Sequence, residues 1–326
     1  MKKSGRFALF SVLLTGFLML LPKVNLADEK YPAKTIKFIV AMGAGGITDV
    51  VARKAADLAG KSLGQEIIIE NKVGGGGLVG ASFLANSKPD GYTLGSLASS
   101  VFVISPNFTK IDFDPLTAFT PLIQVFTLTQ VLVVRADSPI RTVKELLEEG
   151  RKRRITAGVT GLNTSDIAMR RLGAEAKVDL KTVPFGGVPA AIAAILGGQV
   201  DAGALGGVEE FVRARKVRVI ARLTDETRGT YKDVPSLKDL GYDMNAITFL
   251  GFFGPKGLPE PVQKKVEEAF TRAVQDPSVK ATIDAFGDTF VFRNSKDFGN
   301  YLKEAYEEAR KEFKELGLGI YSKDKK

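Results

Sequence analysis

Two segments of the chain, more than a hundred residues apart, repeat one pattern of strand, glycine turn and helix. Residues 40–53 and residues 155–170 each run from a short apolar stretch through glycines into an amphipathic stretch. Each predicted helix begins with a hydroxyl residue, an aspartate, three apolar residues and an arginine, in the sequences Thr48-Asp49…Arg53 and Ser165-Asp166…Arg170. Such a junction directs backbone N–H groups and the positive end of a helix dipole at one spot, which suits an anion. Two junctions in two lobes predict a clamp for a small molecule with an anionic group at one or both ends.

The order of the predicted elements favours an α/β fold with two lobes. Strands alternate with helices along the chain, which is typical of mostly parallel sheets flanked by helices. Two long apolar strands, at residues 130–135 and 247–253, are predicted as the crossover strands between the lobes. We therefore expect residues 28–128 and 250–326 to form the first lobe and residues 129–249 to form the second. Two crossovers imply a hinge, and hinged α/β proteins bind ligands in a cleft at the C-terminal ends of their strands.

The N-terminal residues predict export. Lys2, Lys3 and Arg6 precede an apolar run over residues 7–21, which has the length of the apolar region of a signal peptide and is short for a bilayer span. We predict a signal peptide over residues 1–27, with an uncleaved anchor as the alternative. The chain has no cysteine for lipid attachment. The predicted location is therefore the periplasm, or another extracytoplasmic space, as a freely soluble protein.

Composition excludes several kinds of site. The chain has no cysteine, histidine or tryptophan, which rules out zinc sites built from His or Cys and the Ser-His-Asp and Cys-His catalytic arrangements. Carboxylate pairs and Ser-Lys dyads stay open. No catalytic residue, metal or cofactor is predicted, and we expect a protein that is not an enzyme. The basic cluster at residues 151–154 is short and has few aromatic residues beside it, so nucleic-acid binding is not expected.

The first predicted anion site is the turn and helix start after the first strand. Its ligand-binding candidates are Met42, Gly45, Gly46, Ile47, Thr48 and Asp49. The two glycines let the backbone approach a carboxylate, which would accept hydrogen bonds from the amides and from the Thr48 hydroxyl. Asp49 is itself negative, so we assign it to hydrogen bonding within the turn or to an amine of the ligand. The alternative for Thr48 and Asp49 is helix capping alone.

The second predicted anion site lies in the other lobe, before the second helix of the repeat. Asn163, Thr164 and Ser165 are its candidates, and a helix cap without a ligand is the alternative. Phe185 and Gly186 follow a predicted strand and are expected to line the cleft, although Phe185 fits a core position equally well.

Three further residues belong to the predicted ligand site. Ser96 and Ser99 follow the strand at residues 93–96 closely and are candidate hydroxyl donors. Asp201 is the remaining candidate, although the sequence favours stabilisation of a turn over ligand contact for it.

Short motifs between residues 31 and 290 carry a family resemblance. They are Val40…Gly45-Gly46…Thr48-Asp49…Ala52-Arg53, Glu70-Asn71…Gly74, Pro89-Asp90-Gly91-Tyr92-Thr93-Leu94, Val183-Pro184-Phe185…Gly187, Gly198-Gln199-Val200-Asp201, Asp233-Val234-Pro235-Ser236…Gly241-Tyr242 and Gly254-Pro255…Pro259. In order and spacing the set resembles the periplasmic solute-binding proteins of tripartite tricarboxylate transporters, the Bug family. The resemblance implies a type II-like, two-lobed periplasmic binding fold. It also implies a small di- or tricarboxylate or aromatic carboxylate as ligand, held chiefly by backbone amides, hydroxyls and waters.

This chain departs from the family pattern at three points. Met42, Gly43 and Ala44 stand where the family usually has an aromatic residue and prolines, and Gly186 stands where it commonly has a lysine. A histidine that often follows the second loop is also missing. Loss of a ring and a cation from the cleft leaves the shape of the ligand open.

These observations predict a receptor that closes on an organic acid and passes it to membrane permease subunits by transient contact. We expect it to act as a monomer. One alternative is a ligand-loaded sensor subunit that docks on a signalling receptor. Another is a nucleotide-dependent enzyme, because Gly43-x-Gly45-x-x-Thr48 looks like a dinucleotide fingerprint that lacks its third glycine.

Overall fold

The structure is a computed structural model that describes residues 31–161, 163–225 and 230–322. The predicted signal peptide lies outside the described residues. The strands are β1 (Ile36–Val40), β2 (Ile67–Asn71), β3 (Thr93–Ala98), β4 (Phe119–Thr127), β5 (Val131–Arg135), β6 (Ile155–Val159), β7 (Leu180–Pro184), β8 (Ala202–Leu205), β9 (Val217–Arg222), β10 (Leu250–Pro255) and β11 (Thr289–Arg293).

Helices follow most of these strands. They are α1 (Ile47–Leu63), α2 (Leu78–Ala85), α3 (Ser105–Phe108), α4 (Val143–Gly150), α5 (Thr164–Ala176), α6 (Val188–Leu196), α7 (Glu209–Arg213), α8 (Glu260–Gln275), α9 (Pro277–Ala285) and α10 (Ser295–Glu315). Shorter helical turns lie at Gly75–Gly77, Ser100–Ile104 and Gly319–Tyr321. Across the described ranges, no helix combines the length and apolar character that crossing a bilayer requires.

The strands form two sheets. The first has the order β11-β4-β10-β3-β1-β2 and the second has the order β7-β6-β8-β5-β9. In the first, β1 is parallel to β2 and β3, whereas β10 is antiparallel to β3 and β4 and β11 is antiparallel to β4. In the second, β6 is parallel to β7 and β8, whereas β5 is antiparallel to β8 and β9. Both sheets are therefore mixed, but four of the six strands in the first and four of the five in the second share one direction, which agrees with the expected mostly parallel sheets.

The antiparallel strands result from the way the chain enters each lobe. It leaves the first sheet after β4, enters the second at β5, and returns after β9 into β10. A strand that enters from the hinge runs away from the hinge. Strands β6 and β8, which follow β5 through helices, run toward it. The entering strands β5 and β10 are therefore antiparallel to their neighbours.

The two glycine turns lie on the sheet edges that the crossovers join. Because β4 has the same direction as β1, its C-terminal end and that of β1 lie on one edge of the first sheet. Because β5 is antiparallel to β8, its start lies on the same edge of the second sheet as the C-terminal ends of β6 and β8. We call these two edges the cleft edges. Hydrogen bonds join the crossovers themselves, since the Thr248 hydroxyl donates to the carbonyl of Leu128 at 2.6 Å.

The lobes also touch beside the cleft edges. Ile167 of α5, in the second lobe, is buried within a first-lobe cluster that includes Phe102, Phe249 and Phe313. One turn further along α5, the Arg171 guanidinium lies 3.5 Å from a carboxylate oxygen of Glu312 on α10. The start of α5 is therefore packed against the first lobe as well as its own.

Candidate functional site

The start of α1 presents backbone amides at the cleft edge of the first sheet. Gly46 is the N-cap residue, and no side chain caps the helix. The first intrahelical hydrogen bond runs from the Val50 amide to the Gly46 carbonyl at 3.0 Å. The amides of Ile47, Thr48 and Asp49 precede that bond, so the helix supplies them with no carbonyl. Because Gly43 to Gly46 are exposed and Ile47 is half-buried, a ligand can approach the helix start from the turn.

The buried Asp49 side chain holds this turn by hydrogen bonds. It is 3% exposed, and one carboxylate oxygen accepts from the Gly45 amide and the Arg53 Nε, both at 2.9 Å. The other oxygen accepts from Asn71 Nδ2 at 2.8 Å. The same Asn71 nitrogen donates to the carbonyl of Met42 at 3.0 Å. Asp49 thus holds the turn in place, which is the first of the two roles expected from the sequence.

The charge of Asp49 is balanced within this network. Burial acts to raise the pKa of Asp49, but the hydrogen bonds from Arg53, Gly45 and Asn71 outweigh burial and lower the pKa below its ordinary value. The carboxylate is therefore ionised at neutral pH, and Arg53 offsets its charge. The exposed amides at the helix start are left to provide the local positive potential.

Replacing Asp49 with alanine should reduce the free energy of unfolding by about 2–3 kcal/mol, because a buried charge network loses its centre. The effect should shrink as the pH falls through the pKa of Asp49, since a group with a lowered pKa stabilises the fold only while it is ionised. Urea denaturation followed by circular dichroism measures both.

The matched control for this variant is Asp57→Ala on the same helix. Asp57 forms an ion pair of the same spacing with Lys61, but both side chains are largely exposed. Its loss should cost less than about 0.5 kcal/mol. Equal losses in the two variants would contradict a supporting role for Asp49.

The second glycine turn leads into α5 at the cleft edge of the second sheet. Asn163 caps this helix, because its side-chain oxygen accepts from the Asp166 amide at 3.0 Å. The first intrahelical bond runs from the Ile167 amide to the Asn163 carbonyl at 3.1 Å. The amides of Thr164 and Ser165 lie before it. The capping alternative therefore applies to Asn163, while the half-buried Thr164 keeps an amide for a ligand.

Ser165 does not present its hydroxyl to the cleft. The side chain is fully buried, and its Oγ donates to Oε1 of Gln130 at 2.6 Å. On the same turn, Arg170 Nε lies 3.0 Å from both carboxylate oxygens of Asp166. The repeat of aspartate and arginine thus has the same local result in both lobes, an ion pair in the first turns of the helix, next to its N-terminal amides.

The predicted site residues that follow β3 and β7 differ in exposure. Ser96 is fully buried on β3, and its hydroxyl has no hydrogen-bond partner within the described part of the chain. Ser99 is also nearly buried and donates its amide to the Phe249 carbonyl at 3.0 Å. Neither serine offers an open hydroxyl. Phe185 packs over Gly158, where a Cβ would come within 3.2 Å of the ring, and Gly186 beside it is exposed.

Asp201 lies away from the other candidates. Its carboxylate accepts from the amide and the hydroxyl of Thr156, at 2.8 and 2.9 Å, and pairs with Arg153 at 2.9 Å. Thr156 is near the start of β6, whereas the predicted anion site follows the end of that strand. The structure therefore places Asp201 in a turn at the opposite edge of the sheet and corrects its assignment to the ligand site.

Sequence reasoning missed three features of the cleft edges. Asn71 was part of a family motif but was given no role. Gly206 and Gly207 follow β8, and a Cβ on Gly207 would meet nothing within 4 Å; this third glycine pair at a strand end was a usable signal. Gln130 was interpreted only as the beginning of an apolar strand. Its partner Ser165 is 35 residues away, so no local pattern reveals the contact.

Between the lobes, near the start of α5, there is a narrow crevice with room for about one water molecule. Thr164 and Asn245 contribute polar groups to it, and Glu312 contributes a carboxyl group. Burial raises the pKa of Glu312 to about 7, against the opposing effect of Arg171. Among the residues that the structure describes, no group of three or more acidic side chains is arranged to hold a metal ion.

Comparison with known proteins identifies the family. A sequence profile described as the tripartite tricarboxylate transporter family receptor, TctC, matches residues 51–318. The chain belongs to this family. A UPF0065 protein from the gbd 5′ region of Cupriavidus necator is 30% identical over 294 residues, which are 89% of this chain and 90% of that protein.

Solved structures of TctC-type receptors share the fold. The periplasmic binding protein BugD superposes with a TM-score of 0.72 at 28% identity, over 89% of this chain and 99% of that chain. MatC of Rhodopseudomonas palustris with bound malate superposes with a TM-score of 0.69 at 26% identity, over 86% and 99% of the two chains. The predicted two-lobed periplasmic binding fold is thereby confirmed. The TctC family is one of solute-binding receptors, and BugD and other relatives are periplasmic.

Proposed function

We propose that this TctC-family chain is an exported receptor that captures a small organic carboxylate between its lobes and delivers it to a tripartite tricarboxylate-type permease. The observation that carries the proposal is the pair of helix starts at the cleft edges. At each, backbone amides without an intrahelical acceptor precede the first intrahelical bond, and the nearby aspartate is neutralised by its own arginine. The ligand is a di- or tricarboxylate or an aromatic carboxylate, and the binding unit is a monomer without a cofactor.

Amides alone suffice for useful affinity. A hydrogen bond to a charged group contributes about 1.5–3 kcal/mol net. Several of them at two sites, less the cost of association, support micromolar binding of about −8 kcal/mol. Malate in the MatC relative is a ligand of this chemical class. In this chain the carboxylate is received by the amides at the start of α1 and by the amide of Thr164 at the start of α5.

Thermal unfolding of the purified protein against mono-, di- and tricarboxylates tests the proposal. An acid bound at micromolar affinity and added at about a thousandfold excess over its Kd stabilises the folded state by about 4 kcal/mol, which raises Tm by about 5–10 °C. NAD serves as the comparison for a nucleotide-dependent enzyme and should leave Tm unchanged. A Tm shift with NAD and with none of the acids would overturn the proposal.

A further inference from the structure

Gln130 occupies a junction between the second anion site and the hinge. It is the residue directly before β5, at the end of the first crossover. Its side-chain Oε1 accepts from the buried hydroxyl of Ser165 at 2.6 Å. Its backbone carbonyl accepts from the amide of Leu223, at the start of the second crossover, at 2.8 Å. One residue thus contacts the start of α5 and both connections between the lobes.

The Gln130 side chain fits in its position only because residue 206 is a glycine. A Cβ on Gly206, at the end of β8, would lie 2.6 Å from Gln130 Nε2 and 2.9 Å from the Thr129 carbonyl. Both distances are shorter than real contacts of a Cβ, so a larger residue at position 206 would displace the amide. The glycine after β8 is therefore explained by the position of Gln130, and its neighbour Gly207 borders open space.

The second crossover is fixed at the same point. The Leu223 carbonyl accepts from the Ala246 amide at 2.6 Å. The Thr248 hydroxyl, two residues further, donates to the Leu128 carbonyl in the first crossover. The anchor of the α5 start is therefore tied by hydrogen bonds to both crossovers between the lobes.

We propose that Gln130 is a positioning residue for the second anion site. It acts through Ser165, holding the first turn of α5 so that the amide of Thr164 keeps one orientation relative to the hinge while the lobes close. The inference rests on the proposed function, because it assigns the start of α5 to ligand capture. A displacement of about 1 Å in a hydrogen-bonding site is enough to weaken binding severalfold.

Three variants separate positioning from general stability. Gln130→Met and Ser165→Ala remove the hydrogen bond from either end, and the double variant removes both partners. In each single variant, the amides of residues 167–169 should exchange hydrogen for deuterium about tenfold faster than in the wild type, because the first turn loses its anchor. The exchange is measured by mass spectrometry without ligand. The double variant should be no worse than the single ones, since both remove one interaction. Gln130→Glu still accepts from the Ser165 hydroxyl and should restore slow exchange.

The control is Gln263→Met in the first lobe. Gln263 Nε2 donates to the Ser295 hydroxyl at 2.9 Å, which is a matched Gln–Ser pair remote from the cleft edges. This variant should leave exchange at residues 167–169 unchanged. If it accelerates that exchange as much as Gln130→Met does, or if Gln130→Met has no effect, the proposal is overturned.

Ligand affinity provides the second readout, with malate, citrate and benzoate as probes in calorimetry. Gln130→Met and Ser165→Ala should each weaken binding of the acid that binds the wild type by about tenfold. Gln130→Glu should weaken it too, but in a salt-dependent way, because its charge opposes the carboxylate. Normal affinity in Gln130→Met overturns the inference. Failure of all three acids to bind the wild type instead counts against the proposed function, and the exchange rates then decide the role of Gln130.

Discussion

Replacing Gly46 with valine should abolish binding of the carboxylate and leave the fold intact. A Cβ at this position would meet only the Gly43 carbonyl, at 3.7 Å. The backbone angles of Gly46, φ −74° and ψ 165°, are also ordinary for any residue. The valine side chain would instead occupy the space in front of the α1 amides. Loss of two charge-assisted hydrogen bonds removes about 3–6 kcal/mol of binding free energy, which is more than about a hundredfold in Kd.

Calorimetry with the acid that binds the wild type measures the loss, and thermal unfolding checks the fold. Gly46→Ala has a smaller side chain and should bind with intermediate affinity. Gly299→Val in α10 is the control, because a Cβ there would meet only Pro121, at 3.9 Å. This variant should not change the affinity for the acid. Wild-type affinity in Gly46→Val would show that the first glycine turn is not part of the site.

The two glycine turns were predictable because their signals are local. An apolar strand, glycines and a helix start lie within fourteen residues in the first case, and α1 begins one residue before the predicted start. In the second case α5 begins one residue before the predicted start, with Asn163 as its cap. Short-range sterics and capping decide such junctions, so a single sequence is sufficient to find them.

The partners of the polar side chains were not predictable in the same way. Asn71 reaches Asp49 from 22 residues away, and Asp201 reaches Thr156 from 45 residues away. Which residues meet at one sheet edge depends on strand order and direction, and the sequence pattern does not encode either directly. The error for Asp201 has this cause, since a turn aspartate looks the same at both edges of a sheet. The mixed sheets have a related cause, because strand direction depends on where each crossover enters.

Stability should depend on pH through Asp288, an acid at the base of the hinge. Asp288 is buried directly before β11, and it accepts from the Thr129 amide in the first crossover at 2.9 Å. Glu209 of α7, from the second lobe, packs against the neighbouring Gly287. Burial raises the pKa of Asp288 to about 8; the Thr129 hydrogen bond acts against this, and the nearby Glu209 charge adds to it.

The raised pKa fixes the sign of the effect. Below about pH 4 both the folded and the unfolded chain hold the proton of Asp288. Between about pH 4 and pH 8 only the folded chain holds it, so each unit of rising pH removes about 1.4 kcal/mol from the free energy of unfolding. From pH 5 to pH 8 the contribution of this one residue falls by about 4 kcal/mol.

Asp288→Asn should remove this dependence, because the amide keeps an oxygen acceptor for Thr129 and never ionises. Urea denaturation at several values between pH 5 and pH 8.5 should show that the free energy of unfolding of the variant rises relative to that of the wild type as the pH increases. Asp284→Asn, an exposed acid four residues earlier, should follow the wild type throughout. If Asp288→Asn also follows the wild type, the pKa of Asp288 is the same in the folded and the unfolded chain. The pH dependence of stability then does not arise from this buried acid.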